Sequence, residues 1–313
     1  MSGARSVLVA GSANLDFVVR AAHVPAPGET ILGRAFETFP GGKGANQAVA
    51  CARAGGAPTR MLLALGDDDF SKPLEASLRD AGVQLELIRS HSEPTGVAFV
   101  CLSDNAENAI TVAPGANSSL RPEHLPSLDG VSHLLMQLET PLESVEAWAI
   151  AARDAKVSVV LNAAPAHPLS AALMSAIDIL IVNEGELAEL SGVRRRIAKG
   201  IAALDVPCVV VTLGERGCCA RIDGQYVLQP AFKVEAVDTT GAGDTFCGTL
   251  VAALSQGMPF AQALRRASAA SALACTRMGA QTGVPAHAEV ESMLAANTAS
   301  QSTDDLAAYC GFD

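Results

Sequence analysis

The sequence predicts an α/β protein: a Rossmann-like, mainly parallel sheet with helices on both faces, joined by a small β-sheet lid. Three observations carry this expectation. Short Val-, Ile- and Leu-rich runs alternate with Ala-rich stretches of helical period, the pattern of βαβ units. The apolar runs are continuous rather than alternating in polarity, as strands covered on both faces are. Two segments, 17–39 and 95–112, break the alternation with Val, Phe, Ile and Thr between Gly/Pro turns and read as antiparallel strands of a second sheet.

In chain order the expected strands are 6–11, 61–65, 133–138, 157–162, 178–182 and 208–213, each a run of β-branched residues or Leu that stops at a polar or glycine position. The expected helices between them are 44–54, 71–81, 142–155, 170–176, 185–191 and 195–204. From 244 onward helices follow one another at 244–256, 260–276 and 287–296; Phe246, Leu250 and Leu254 show the four-residue recurrence. The expected division is a main domain of 1–16, 40–94 and 113–296, a lid of 17–39 and 95–112, and a polar tail of 297–313, loosely held except around Leu306 to Tyr309. Edge hairpins of the main sheet are the alternative reading of the lid segments.

With 313 residues the chain can bury a sizeable core, and 49% hydrophobic with only 4% aromatic residues suits close-packed, Ala-rich helices on a sheet. A net charge of −11 argues against a nucleic-acid partner. Arg194-Arg195-Arg196 reads as a solvated helix start rather than a binding patch. The eight cysteines have neither zinc spacing nor a small-domain disulfide framework, so buried thiols in a reducing cytoplasm are expected. The first apolar run is too short for a signal peptide or a membrane span.

The expected strand ends carry acceptors and flexible turns: Asn14 and Asp16, Gly66-Asp67, Glu139, Asn162, Asn183 with Glu186, and Thr212-Leu213-Gly214. Open parallel sheets bind ligands outside these ends. The most informative stretch is Ala236-Val237-Asp238-Thr239-Thr240-Gly241-Ala242-Gly243-Asp244. Its two-glycine turn opens a helix whose free N–H groups form an anion site beside the Asp244 carboxylate, a pairing that suits phosphoryl transfer. Taken alone it is also an ordinary Gly-rich turn with an acidic first-turn residue. A second glycine loop, Gly41-Gly42-Lys43-Gly44-Ala45-Asn46-Gln47-Ala48, runs into a helix and places Lys43 and Asn46 on one face, where they could meet sugar hydroxyls. It is not a Walker A loop, because Gly44 follows Lys43. Asn183 and Glu186 have capping-box spacing, the reading that spacing alone favours; the alternative puts Asn183 at nucleotide phosphates and Glu186 at Mg²⁺-bound water.

These blocks, with Gly11-Ser12-Ala13-Asn14-Leu15-Asp16, Pro27-Gly28-Glu29-Thr30, Ser92-Glu93-Pro94-Thr95-Gly96-Val97, Met136-Gln137-Leu138-Glu139, Thr212-Leu213-Gly214-Glu215-Arg216-Gly217 and Thr276-Arg277-Met278-Gly279-Ala280-Gln281, occur in order from about Val7 to Val284. In them the chain resembles the ribokinase branch of the PfkB carbohydrate-kinase family. The resemblance implies a Rossmann-like domain with a β-lid that often forms a homodimer, and transfer of phosphate from ATP to O5 of D-ribose. It implies that Asn14, Asp16, Gly42, Lys43, Asn46 and Glu139 hold the ribose, and that Asn183, Thr212, Gly214, Glu215, Arg216 and Gly217 line the ATP site. Gly241, Ala242 and Gly243 would form the anion hole, Asp244 would be the base, and Glu186 would stand near Mg²⁺. Asp238, Thr240, Ala274, Arg277, Gly279 and Gly283 match the family's loop for K⁺ or another monovalent activator.

The chain departs from the pattern at Gly283, where many members have Ser, at Cys247, where Asn is frequent, and between Ser191 and Pro207, which is short. A sister kinase for deoxyribose, fructose, a keto-deoxy sugar acid or a nucleoside is the nearest rival reading. A silent sugar-binding regulator is opposed by the intact Gly241, Gly243 and Asp244. A nicotinamide dehydrogenase is opposed by the lack of Gly-x-Gly-x-x-Gly after the first strand.

Overall fold

The computed structural model describes residues 5–103, 108–297 and 302–312. Parts of the expected regions, residues 1–4, 104–107 of the lid, and 298–301 and 313 of the tail, lie outside the described residues. The chain forms β1 (Ser6–Ala10), β2 (Asn14–Ala21), β3 (Ala35–Gly41), α1 (Lys43–Arg53), β4 (Thr59–Gly66), α2 (Ser71–Asp80), β5 (Gln84–Ser90), β6 (Gly96–Ser103) and β7 (Asn108–Ala113). It continues with β8 (Val131–Met136), α3 (Leu142–Asp154), β9 (Ser158–Asn162), α4 (Ala171–Ala176), β10 (Ile179–Asn183), α5 (Glu184–Ser191), α6 (Ile197–Ala202) and β11 (Cys208–Thr212). The last elements are β12 (Gly217–Ile222), β13 (Gln225–Pro230), α7 (Ala242–Ser255), α8 (Phe260–Ala274), α9 (His287–Ala296) and α10 (Asp304–Cys310).

Nine strands form the main sheet in the order β13-β12-β11-β10-β9-β8-β1-β4-β5. The seven from β11 to β5 run parallel, and the β12–β13 hairpin continues the sheet antiparallel. The strand pleat divides the core between the two faces. Val7 and Val9 pack with Ala48 of α1 and Leu250 of α7, while Leu8 and Ala10 pack on the other face with Val145 and Trp148 of α3. Residues 84–90 and 217–230 had not been expected as strands. They form β5 and the β12–β13 hairpin at the two edges, where half-exposed strands lack the all-apolar signature of the central ones.

The small sheet has the order β3-β2-β6-β7 and is separate from the main one, so the edge-hairpin alternative does not hold. One detail of the expectation is corrected. β2 pairs with β3, and β6 with β7, in antiparallel fashion, but the central β2–β6 pair is parallel. β2 follows β1 and β6 follows β5, two parallel strands of the main sheet, so both rise into the small sheet in the same sense. β2 begins at Asn14, β3 ends at Gly41 and β7 ends at Ala113, slightly beyond the expected bounds.

The tail is more structured than its composition suggested. Helix α10 buries Leu306 and Cys310 against the sheet, and Tyr309 donates to Glu184 at 2.6 Å and lies 4.3 Å beneath the Arg216 guanidinium. All eight cysteines are free thiols. Among the described residues, no helix is long and apolar enough to cross a membrane.

Helices α1 and α7 cross closely on one face of the sheet. A Cβ at Gly248 would lie 2.3 Å from the carbonyl oxygen of Gln47 and 2.9 Å from the backbone nitrogen of Cys51. Cys51 Sγ donates to the Gly248 carbonyl at 3.1 Å. Gly248→Ala therefore overpacks the crossing and should cost about 1–3 kcal/mol, read as a lower urea midpoint. An unchanged midpoint would mean that the helices have room to part.

Candidate active site

The strand order reverses between β1 and β8, and at their carboxyl ends lies the crevice where open α/β sheets take ligands. Two segments meet there. Ser12 Oγ, after β1, donates to Glu139 Oε2, after β8, at 2.6 Å. The backbone N–H of Lys43, the first residue of α1, donates to the same oxygen at 3.0 Å, so a carboxylate caps the positive end of the helix. Gly42 makes this possible: its φ is +88°, and a Cβ would lie 2.7 Å from the Asn14 nitrogen.

Helix α7 enters the same crevice from the carboxyl-terminal half. Gly241, in the left-handed conformation, is its N-cap, and the N–H groups of Gly243 and Asp244 stand in its first turn, ahead of the helical ladder. The Asp244 carboxylate receives one amide N–H on each oxygen. Asn46 Nδ2 donates to Oδ2 at 3.0 Å, and Gln47 Nε2 donates to Oδ1 at 2.9 Å. Behind them lie further amides. Gln281 Nε2 donates to Asn46 Oδ1 at 3.2 Å, and Ser77 Oγ donates to Gln281 Oε1 at 2.6 Å. Gln137 Nε2 donates to Gln47 Oε1 at 2.6 Å, and Gln47 Nε2 is shared with Asn162 Oδ1 at 2.9 Å.

Two cavities flank the turn. One, of about 360 Å³, lies between the small sheet and the main body and is lined by all six predicted acceptor-site residues, Asn14, Asp16, Gly42, Lys43, Asn46 and Glu139, together with Gly241 and Asp244. The other, of about 780 Å³, is lined by Thr212, Gly214, Glu215, Arg216, Gly217 and the turn residues Ala242 and Gly243. Thr239 lines both, so the turn from 239 to 244 is their common wall. The α7 N-terminus and Asp244 therefore stand where the two cavities meet.

Electrostatics in the first cavity are acidic. Burial, with Glu139 and Asp244 adding to it, pushes the Asp16 carboxyl up to about 7. Lys43 is held above the ordinary lysine range by Asp244 and, against the effect of burial, by Glu139. Cys247, one turn behind Asp244, is a buried thiol pushed well up by desolvation and so is inert.

Asn183 and Glu186 stand apart from both linings. Asn183 Oδ1 accepts from the Glu186 N–H, and Glu186 Oε2 from the Asn183 N–H, each at 2.8 Å, a complete capping box on α5. Burial raises the Glu186 carboxyl, against the Asn183 hydrogen bond and Lys43. Among the described residues no group of three His, Cys, Asp or Glu could hold a metal ion.

The predicted monovalent-cation residues gather beside the turn. Asp238 accepts from the N–H groups of Thr240 at 2.9 Å and Gly279 at 2.8 Å. The carbonyls of Ala274, Arg277 and Gly279 converge on Gly283: a Cβ there would lie 3.1, 3.5 and 2.7 Å from them. Neutral carbonyl oxygens suit K⁺, so the donor set fits it. A Cβ at 283 would strike the Gly279 carbonyl, so the loop as folded leaves no room for a side-chain oxygen at that position. The Arg277 side chain turns away to pair with Glu289.

Residues with no assigned role in the sequence reading also belong to the site. Gln47 bonds Asp244 directly and Gln281 bonds Asn46, while Gln137 and Asn162 bond Gln47 behind them. Asn117 Nδ2 donates to Asn14 Oδ1 at 2.8 Å, while its Oδ1 accepts from the Ala13 N–H at 2.9 Å. Phe232 and Ser268 line the second cavity. Gln47 and Gln137 lie within noted motifs; a polar residue such as Asn117 in an irregular segment gives no local signal.

Comparison with known proteins follows this geometry. The pfkB family carbohydrate kinase profile matches residues 4–287. The chain is 38% identical over 302 residues to the ribokinase of Haemophilus influenzae, covering 93% of this chain and 98% of that one. It is 36% identical over 296 residues to the Bacillus subtilis ribokinase, covering 93% and 99%. Among solved structures, Arabidopsis thaliana ribokinase complexed with ribose and ATP superposes with a TM-score of 0.86 at 34% identity, covering 93% of this chain and 99% of that one.

The Asp16 environment has a consequence for stability. A carboxyl raised from 3.8 to about 7 binds its proton more tightly in the folded than in the unfolded chain. The native state is therefore destabilised progressively as pH rises through that window. Asp16→Asn should melt several degrees above the parent at pH 8 and together with it near pH 4. A melting difference that does not change with pH would remove burial of a charged Asp16 as its cause.

Proposed function

Because the chain belongs to the pfkB family of carbohydrate kinases, we propose that it transfers the γ-phosphoryl group of MgATP to O5 of D-ribose, giving D-ribose 5-phosphate and ADP. The observation that carries this reading is the position of Asp244 and the α7 N-terminus in the wall shared by the two cavities. Ribose takes the cavity beneath the small sheet, its hydroxyls donating to Asp16 and Glu139 and accepting from Lys43 and Asn46. ATP takes the cavity lined by Thr212 to Gly217, its phosphates toward Gly243.

In the transfer, the ribose O5–H bond breaks and the proton passes to Asp244. O5 bonds to the γ-phosphorus, the bond from that phosphorus to the β-bridging oxygen breaks, and ADP leaves with its electron pair. The N–H groups of the α7 first turn face charge on the γ-oxygens. Glu186 would order the water of the Mg²⁺ that arrives with the nucleotide, an ion that would supply neutralisation of phosphate charge. Asp238 and Thr240, with the backbone of Ala274, Arg277, Gly279 and Gly283, would hold K⁺, which would supply positive charge that steadies the loop leading into the turn from 239 to 244. The small sheet acts as the lid that excludes water. Its exposed Phe36, Phe99 and Ile110 suit burial against a second copy, so a homodimer through the lid is part of the reading. Free thiols suit a reducing cytoplasm.

Asp244→Ala should lower kcat by about 10²–10⁴-fold while ribose and ATP still bind in calorimetry; near-parent turnover would eliminate Asp244 as the base. A coupled ADP-release assay over ribose, deoxyribose, fructose, a keto-deoxy sugar acid and a nucleoside, with and without K⁺, should show the highest kcat/KM for ribose and a rise in rate with K⁺. A higher value for another acceptor would reassign the substrate. ADP release without any acceptor dependence would reject the kinase reading.

A further inference from the structure

The two hydrogen bonds on Asp244 are unequal in kind. Asn46, the donor to Oδ2, lines the acceptor cavity, whereas Gln47, the donor to Oδ1, is fully buried at 0% exposure and cannot touch a ligand.

The direction of the Gln47 amide follows from its neighbours' chemistry. The Ile181 carbonyl can only accept, so Asn162 gives it Nδ2 at 3.1 Å and presents Oδ1 to Gln47. Asp244 Oδ1 is likewise an acceptor, so Gln47 must turn Nε2 toward both. Its Oε1 then faces Gln137 Nε2, which donates at 2.6 Å. Reversing the Gln47 amide would set oxygen against oxygen at both Asp244 and Asn162.

The line ends at Gln137 Oε1, a buried atom without a hydrogen-bond partner. It occupies space that any side chain at residue 11 would need: a Cβ on Gly11 would lie 2.0 Å away. A buried amide held with one oxygen unsatisfied is destabilising by itself. Its orientation leaves every donor in the line aimed toward the carboxylate.

We propose that Gln47, oriented by Gln137, is a positioning residue that locks Asp244 Oδ1 and so leaves Oδ2 as the oxygen that takes the acceptor's proton. This rests on Asp244 being the base. Rotation of the carboxylate about its Cβ–Cγ bond would break a buried bond to Gln47 that no water can replace. Oδ2 gives up only the bond to Asn46, a side chain already at the cavity surface. The constraint on carboxylate rotation thus comes from a residue outside the substrate's reach.

The test is steady-state kinetics of Gln47→Met, Gln137→Met and the double variant, with Asp244→Asn alongside. Gln47→Met keeps the volume and removes the N–H. It should lower kcat by about 10- to 100-fold, the worth of one hydrogen bond to a charged group, with KM for sugar and ATP within about threefold of the parent. Gln137→Met should lower kcat less, and the double variant should be no worse than Gln47→Met, because the two act in one line. A folded Gln47→Met with kcat within about twofold of the parent, a loss confined to KM, or additive losses in the double variant would overturn the proposal. If Gln47→Met does not fold, Gln47→Leu, which also lacks the N–H and brings no charge, decides on the same kcat criterion. Turnover surviving in Asp244→Asn would overturn the base assignment and this inference with it. An inactive Asp244→Asn beside a normal Gln47→Met would leave the base standing and remove only Gln47.

Discussion

The crossing of α1 and α7 sets the separation on which the site depends. One helix brings Lys43, Asn46 and Gln47 to the crevice and the other brings Gly243 and Asp244, nearly two hundred residues later in the chain. Side chains of ordinary size at the crossing would hold the helices apart and open the amide contacts to Asp244. Gly248 against the Gln47 carbonyl, and the Cys51 thiol against the Gly248 carbonyl, let the backbones approach instead. The small residues that give this chain its Ala-rich composition are thus a geometric requirement of the chemistry as well as of the core.

That proximity concentrates like charge. Asp16, Glu139 and Asp244 share one cavity with Lys43, and burial falls hardest on Asp16. A fold selected for stability alone would not gather carboxylates there; a site that must bind a polyhydroxylated acceptor and remove a proton needs them. The cost is offset elsewhere, by a core whose strand residues are buried on both faces of the sheet.

Much of this was legible in the sequence because central parallel strands leave an unmistakable trace: continuous apolar runs such as 179–182 and 208–211, ended by the polar residues that face the crevice. The acceptor residues and the Thr212 to Gly217 loop could be read from motif order, and they fall into two cavities as that order implied. Other features had no local code. The parallel β2–β6 pairing depends on how two distant strands leave the main sheet, and alternation along a strand does not record the direction of its neighbour. The β12–β13 hairpin does carry a signal, Asp223-Gly224, both at positive φ as a two-residue turn requires, but its flanks lack the continuous apolar run of the central strands. Gln47 stood in plain view inside a motif, yet its partners Gln137, Asn162 and Asp244 are brought to it only by the fold.

The contact between Tyr309 and Arg216 ties the nucleotide cavity to the last helix of the chain. Arg216 belongs to the cavity wall, and its guanidinium rests on a ring carried by a seven-residue helix held mainly through Leu306 and Cys310. Whatever holds α10 in place therefore also holds Arg216, so one wall of the second cavity is anchored from outside the sheet.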